Sequence, residues 1–116
     1  MRVSHPTPPV FDGPEDRNGT RNFDEIRFWA DYVRGPASSR YIYDDNGLRG
    51  GLEPGASFVI AGDQNADPYD GDSVDAAIDQ LLDHPRINTR ATPSSEGAVE
   101  ASEAQGGAND EHAGDP

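Results

Sequence analysis

The stretch Ser57–Ala61, SFVIA, followed at once by GDQNADP, constrains this chain more than any other. Apolar and β-branched residues run together there without alternation, the pattern of a strand covered on both faces. Such a strand obliges the rest of the chain to supply a sheet neighbour and covering layers. Within residues 1–21 only Met1–Ser4 can belong to a strand, and it is a strand near its end. The text that follows, SHPTPPVFDGPEDRNGTR, is dense in residues that favour turns.

A first helix is expected from Asn22, whose side chain can cap free N–H groups while Glu25 reaches back in a capping box. Phe23, Ile26, Trp29 or Ala30, and Val33 then recur on one apolar face until Gly35 and Pro36 stop the helix. That spacing makes Trp29 a core residue rather than a base-stacking platform. RYIYDDNG reads as a short strand with a turn, and the glycines of LRGGLEPGA permit a tight reversal. After a loop over 62–72, Ser73 can cap a second helix whose buried stripe is Val74, Ala77, Ile78, Leu81 and Leu82, ended by Pro85. From Ala91 the composition shifts to Ser, Glu, Ala and Gly, as in a disordered acidic tail with at most one short helix around Val99. His84 and His112 read as a helix-end residue and a tail residue.

Composition matters because it asks whether such a strand can be covered. Of 116 residues, 33% are hydrophobic, with 13 Gly and 10 Pro, which describes a marginal domain, a partly disordered chain, or a piece of something larger. With no Cys, disulfides, thiol catalysis and Cys-based zinc sites are excluded. No segment approaches the about 18 apolar residues of a membrane span, and no signal peptide is visible. The net charge of -13 disfavours nucleic acid and anionic membranes as partners.

Asp63 and Asn65 alternate across the end of the expected strand, so both can lean toward one pocket at the carboxyl edge of a sheet. A carboxylate and a carboxamide there suit a hard divalent cation, or a phosphate with its attacking water. Asp67, Asp70 and Asp72 add negative charge nearby. A calcium loop starting at Asp63 is opposed by Pro68 at the sixth position and Val74 at the twelfth, where Gly and Glu are needed. Asx-turns closing a strand-to-helix connection remain open as a structural reading of the same two residues.

GDQNADP resembles the G-D-x-N-A-x-P signature of the endonuclease/exonuclease/phosphatase superfamily, the deoxyribonuclease-like metal-dependent phosphoesterases. SHPTPPVFDGPEDRNG, RNFDEIRFWADYV and GDSVDAAIDQLLDHPRIN extend the resemblance to bacterial or archaeal members over most of the chain. The resemblance implies an α+β fold, part of a four-layer α/β/β/α sandwich with long irregular loops. Residues 1–90 correspond to a central portion of that domain and 91–116 to an acidic Gly/Ala/Ser-rich loop or tail. It implies that Asp63 helps bind Mg²⁺ (or Mn²⁺ or Ca²⁺) and orients the attacking water, and that Asn65 holds the scissile phosphate. His5 corresponds to the histidine that hydrogen-bonds the phosphate or transfers a proton.

Arg17, Arg21 and Asn22 can face a phosphate, although pairing of the arginines with carboxylates explains them as well. The resemblance leaves the substrate open beyond the class of phosphate esters. The family's metal-binding Glu and its Asp-His pair have no counterpart here, so the chain is expected to be incomplete and inactive alone. The other reading is a non-enzymatic acidic module that binds cations or a partner.

All nine basic residues are Arg. An acidic, Lys-free surface fits a protein working in concentrated salt, which screens self-repulsion; GC-rich coding would replace Lys by Arg as well. If salt adaptation is the cause, the thermal midpoint should rise in molar KCl, and a midpoint that does not move would eliminate it.

Overall fold

A computed structural model of the chain describes residues Met1–Gly114. In chain order it contains β1 (Arg2–Val3), α1 (Arg17–Arg34), β2 (Ile60–Ala61), α2 (Asp79–Leu82), α3 (Glu96–Gln105) and a short 3₁₀ turn, Gly107–Glu111. The class is α+β. The two strands pair in parallel, Arg2 opposite Ile60 and Val3 opposite Ala61, and α1 lies in the crossover that parallel pairing requires. Among the described residues no helix is long and apolar enough to cross a membrane.

The first helix starts at Arg17, not at Asn22. Asp16 sits in the left-handed region at φ 47°, and the carboxylate of Asp12 accepts the N–H groups of Asn18 and Gly19 at 2.7 and 3.1 Å. A carboxylate supplied from before the turn therefore satisfies donors that a helix start leaves free. Ile26, Ala30 and Val33 are buried along one face. Ile26 and Ala30 form the core with Ala77, Ile78 and Leu81, against which Phe23, Trp29, Ile60 and Ala66 pack.

The second helix is shorter than its stripe implies. Asp75 and Ala76 both take left-handed φ values, 48° and 51°, so the backbone becomes α-helical only at Asp79, and Ser73 is not its cap. Ala77, Ile78 and Leu81 are buried as expected, whereas Leu82 is largely exposed.

The apolar run likewise pairs over Ile60–Ala61 alone, and it is not covered on both faces. Val59 is 60% exposed and Val3 70% exposed. Phe58 is held instead by Arg86, whose guanidinium lies 5.1 Å from the ring centroid and donates to the carbonyls of Val33 and Ala56 at 2.5 and 2.6 Å. Arg86 thus ties the approach to β2 onto the end of α1. At the other strand, the Arg2 guanidinium lies over the Tyr32 ring at 5.3 Å and donates to its hydroxyl at 2.9 Å.

RYIYDDNG forms a reversal with one antiparallel bridge, Tyr43 to Arg49. Asp44 closes it by accepting from the N–H groups of Asn46 and Leu48, both at 2.9 Å. The acidic C-terminal segment holds a ten-residue helix, α3, capped by Ser95 and burying none of its residues. Beyond the 3₁₀ turn the chain returns to Asp70, which accepts from the N–H groups of Ala113 and Gly114. Those two donors hold the Asp70 carboxyl below its usual pKa.

Gly62 follows β2 at φ 136°, and a Cβ there would stand 1.9 Å from the Ser4 carbonyl oxygen. Only glycine lets the strand ends lie this close. Gly62→Ala should lower stability by at least about 1–3 kcal/mol, read from urea unfolding; an unchanged midpoint would contradict the close approach.

His84, 3% exposed, accepts the Arg86 N–H at Nδ1. Burial, then the nearby charges of Arg34 and Arg86, push its pKa below the ordinary 6.5. Because the folded value is depressed, the neutral form's contribution is fully present above pH 6.5 and is lost as pH falls through the folded value. Stability should therefore decline on acidification below about 6.5, and His84→Gln should remove that part of the pH dependence in denaturant titrations.

Candidate functional site

The site forms where the two strands end. The ladder continues past β1, the Ser4 N–H donating to the Ala61 carbonyl at 2.9 Å, and the Ser4 carbonyl lies close against Gly62. Both chains then leave the sheet on the same carboxyl edge. His5 and Asp63 are exposed there, and Asn65 is half-buried.

Three side-chain links join the two loops. The Ser4 hydroxyl donates to Gln64 Oε1 at 3.1 Å. Asn65 Nδ2 donates to the Pro6 carbonyl at 3.1 Å. The third link comes from below, through Asn22. This residue is fully buried, and its Nδ2 lies 3.0 Å from the carbonyl oxygens of both Thr7 and Gln64 and 3.1 Å from that of Asn65. With two N–H bonds for three acceptors, at least one hydrogen is shared. Asn22 Oδ1 is buried without a partner among the described residues, a loss worth about 1–3 kcal/mol.

Asp63 does close an Asx-turn: its Oδ1 accepts the Asn65 N–H at 2.8 Å, and Asn65 takes φ 50°. Its other oxygen has no hydrogen bond among the described residues and stays free at the edge. Asn65 likewise commits one amide hydrogen to Pro6 and keeps a second. The turn reading and the chemical reading of these residues are therefore compatible.

The arginines and the additional carboxylates are engaged elsewhere. Arg17 pairs with Glu15 at 3.5 Å and Arg21 with Glu25 at 3.6 Å, exposed pairs of small energetic weight. Glu25 also receives the Thr7 N–H at 2.6 Å and lies 3.3 Å from its hydroxyl, holding the His5 loop against α1. Asp67 closes a turn on the N–H groups of Tyr69 and Asp70. A groove of about 830 Å³ runs beside His5, between Val3–Pro8 and the face of α1 bearing Glu25, Phe28 and Trp29. Trp29 is thus half-buried, core on one side and groove wall on the other.

The sequence signal for Asn22 lay in its spacing. Residues 22, 26, 30 and 33 share one helix face, so Asn22 extends the apolar stripe backward by one turn, and a polar residue there is a buried one. Ser4 and Gln64 carry no such signal, since their link joins segments 60 residues apart.

The profile of the Endonuclease/Exonuclease/phosphatase family matches residues 2–113. No curated protein and no solved structure matches the chain significantly. Divalent metals are common in that family, and the fit of this site to one can be judged from its donors. Among the described residues no three His, Asp or Glu side chains converge as a metal ion requires; Asp67 and Asp70 bind backbone N–H groups instead. The residues present do not by themselves make a metal site. The matched span includes His5, Asp63 and Asn65 with both strands that bring them to one edge, and the chain belongs to the endonuclease/exonuclease/phosphatase family.

Proposed function

We propose that this chain forms the phosphate-facing part of a phosphoester hydrolase site, in which water attacks phosphorus in line. The observation that carries the reading is the parallel pairing, which sends the loops that carry His5 and Asp63 off one edge, with Asn65 tied to the His5 loop through the Pro6 carbonyl. In this reading the free oxygen of Asp63 orients the attacking water. His5 donates to a phosphate oxygen or passes a proton to it, and the uncommitted amide hydrogen of Asn65 meets a second oxygen. Family membership supports the hydrolase class. The specific ester is not chosen by the fold.

The sheet is read as one edge of the larger four-layer sandwich. Parallel strands ordinarily have both faces covered, and two strands alone are marginal; the exposure of Val3 and Val59 fits strands whose outer face belongs against further layers. Because the described residues bring together no set of metal-binding side chains, this reading has the chain on its own bind phosphate without turnover.

Inorganic phosphate titrated against the ¹⁵N-labelled chain should give saturable shifts at His5, Asp63 and Asn65. His5→Ala should weaken binding about tenfold, the size of one hydrogen bond to a charged group. Asp63→Asn should leave affinity unchanged or raise it, because a water-orienting carboxylate repels the anion. Shifts confined to exposed arginines, or a loss of affinity in Asp63→Asn, would overturn these roles, and release of nitrophenol from a nitrophenyl phosphate ester would overturn inactivity alone.

A further inference from the structure

Asn22 stands beneath the edge described above without reaching its surface. It is fully buried in the middle of α1, yet its amide nitrogen meets carbonyls from both loops, Thr7 on one side and Gln64 and Asn65 on the other. Thr7 lies 15 residues before Asn22 and Gln64 42 residues after it, and only two residue pairs of the strand ladder join the two chains. So short a ladder leaves the outgoing chains free to splay, and Asn22 adds a buried anchor to the links from Ser4 to Gln64 and from Asn65 to Pro6.

We propose that Asn22 is a positioning residue: its amide group holds the His5–Thr7 loop and the Asp63–Asn65 loop in the one arrangement that lets His5 and Asn65 address the same phosphate. The proposal rests on the phosphate-site reading. Three features favour it over simple helix packing. The neighbours on the same face, Ile26, Ala30 and Val33, are apolar, so packing alone would be served by leucine. The Oδ1 atom is left unpartnered, so the position uses the donors and tolerates the rest of the amide. All three acceptors are backbone carbonyls, which fixes the path of each loop rather than the rotamer of one side chain.

Two variants test this. Asn22→Leu keeps approximate volume and removes the donors; Asn22→Asp keeps the shape, removes the donors and places negative charge against three carbonyl oxygens. Each would be compared with the wild-type chain at a temperature where circular dichroism shows it folded. The readouts are the dissociation constant for inorganic phosphate by NMR and the ¹⁵N relaxation of residues 5–7 and 63–65. The expected result is affinity weakened about tenfold or more, as misplacement of a binding group causes, with both loops loosened together while the core amides around Ile26 and Leu81 keep their relaxation rates. A lower melting temperature with unchanged phosphate affinity would overturn the proposal, since packing alone then explains Asn22. Should the wild-type chain bind no phosphate at all, the phosphate-site reading falls, and joint loosening of the two loops still decides the clamp: absence of loosening in both variants removes it. Should Asn22→Leu fail to fold, Asn22→Asp under the same readouts decides.

Discussion

Everything at the candidate site depends on a parallel pairing that is very short. Two residues of β1 face two of β2, and the flanking bonds from Arg2 to Val59 and from Ser4 to Ala61 complete the ladder. So few hydrogen bonds, each of modest net worth, cannot hold a sheet together against chain entropy. The pairing persists because each strand is anchored separately to α1. Arg2 reaches Tyr32 from β1, Ile60 of β2 packs on the core that Ile26 and Ala30 build, and Arg86 pins the approach to β2 on the last turn of the helix. The helix is the rigid part, and the strand ends are attachments whose spacing it sets.

The acidic composition has a local explanation as well as a global one. In a chain with little regular structure, many backbone N–H groups lack a ladder or helix partner, and short acidic side chains can accept them locally. Asp12 serves the start of α1, Asp44 the reversal after Tyr43, Asp63 and Asp67 successive turns, Asp70 the returning C-terminal segment and Glu25 the His5 loop. Carboxylates are good at this because they accept only, and from two donors at once. The arginines play the converse part, satisfying carbonyls, as Arg86 does. Much of the charge is therefore structural at short range, whatever solvent the protein works in.

How much of this was legible follows from which forces are local. The stripes Ile26, Ala30, Val33 and Ala77, Ile78, Leu81 were readable because burial leaves a periodic mark on sequence. The placement of Asp63 and Asn65 after an apolar run was readable for the same reason, aided by a resemblance that the family match sustains. The start of α1 was not, because its cap comes from Asp12, six residues before the N–H it accepts, and Asp16 takes a left-handed φ with no glycine to announce it. Nor was the late start of α2, since left-handed Asp75 and Ala76 have no glycine to announce them. The strand is shorter than its apolar run implies: Val59 stays exposed although its carbonyl takes the Arg2 N–H, and Phe58 lies against the Arg86 guanidinium rather than under a covering layer. His84 reads as a helix-end residue, yet it is buried, and nothing in its local pattern marks it so.

At the site itself the sequence left a choice between turn-forming and chemical roles for Asp63 and Asn65, and the geometry shows the turn-forming role while leaving each side chain a polar position uncommitted. Each side chain has two polar positions and spends one on structure. Asp63 gives Oδ1 to the Asn65 N–H, and Asn65 gives one amide hydrogen to Pro6. What remains has no hydrogen-bond partner among the described residues. A carboxylate whose first oxygen is held by a backbone N–H cannot rotate its second oxygen freely. Truncation to alanine at either position removes both halves together and cannot assign an effect to one. An isosteric exchange such as Asp63→Asn, which keeps an acceptor for the turn and removes only the charge, separates them, and the same logic sets Asn22→Leu against Asn22→Asp one layer below.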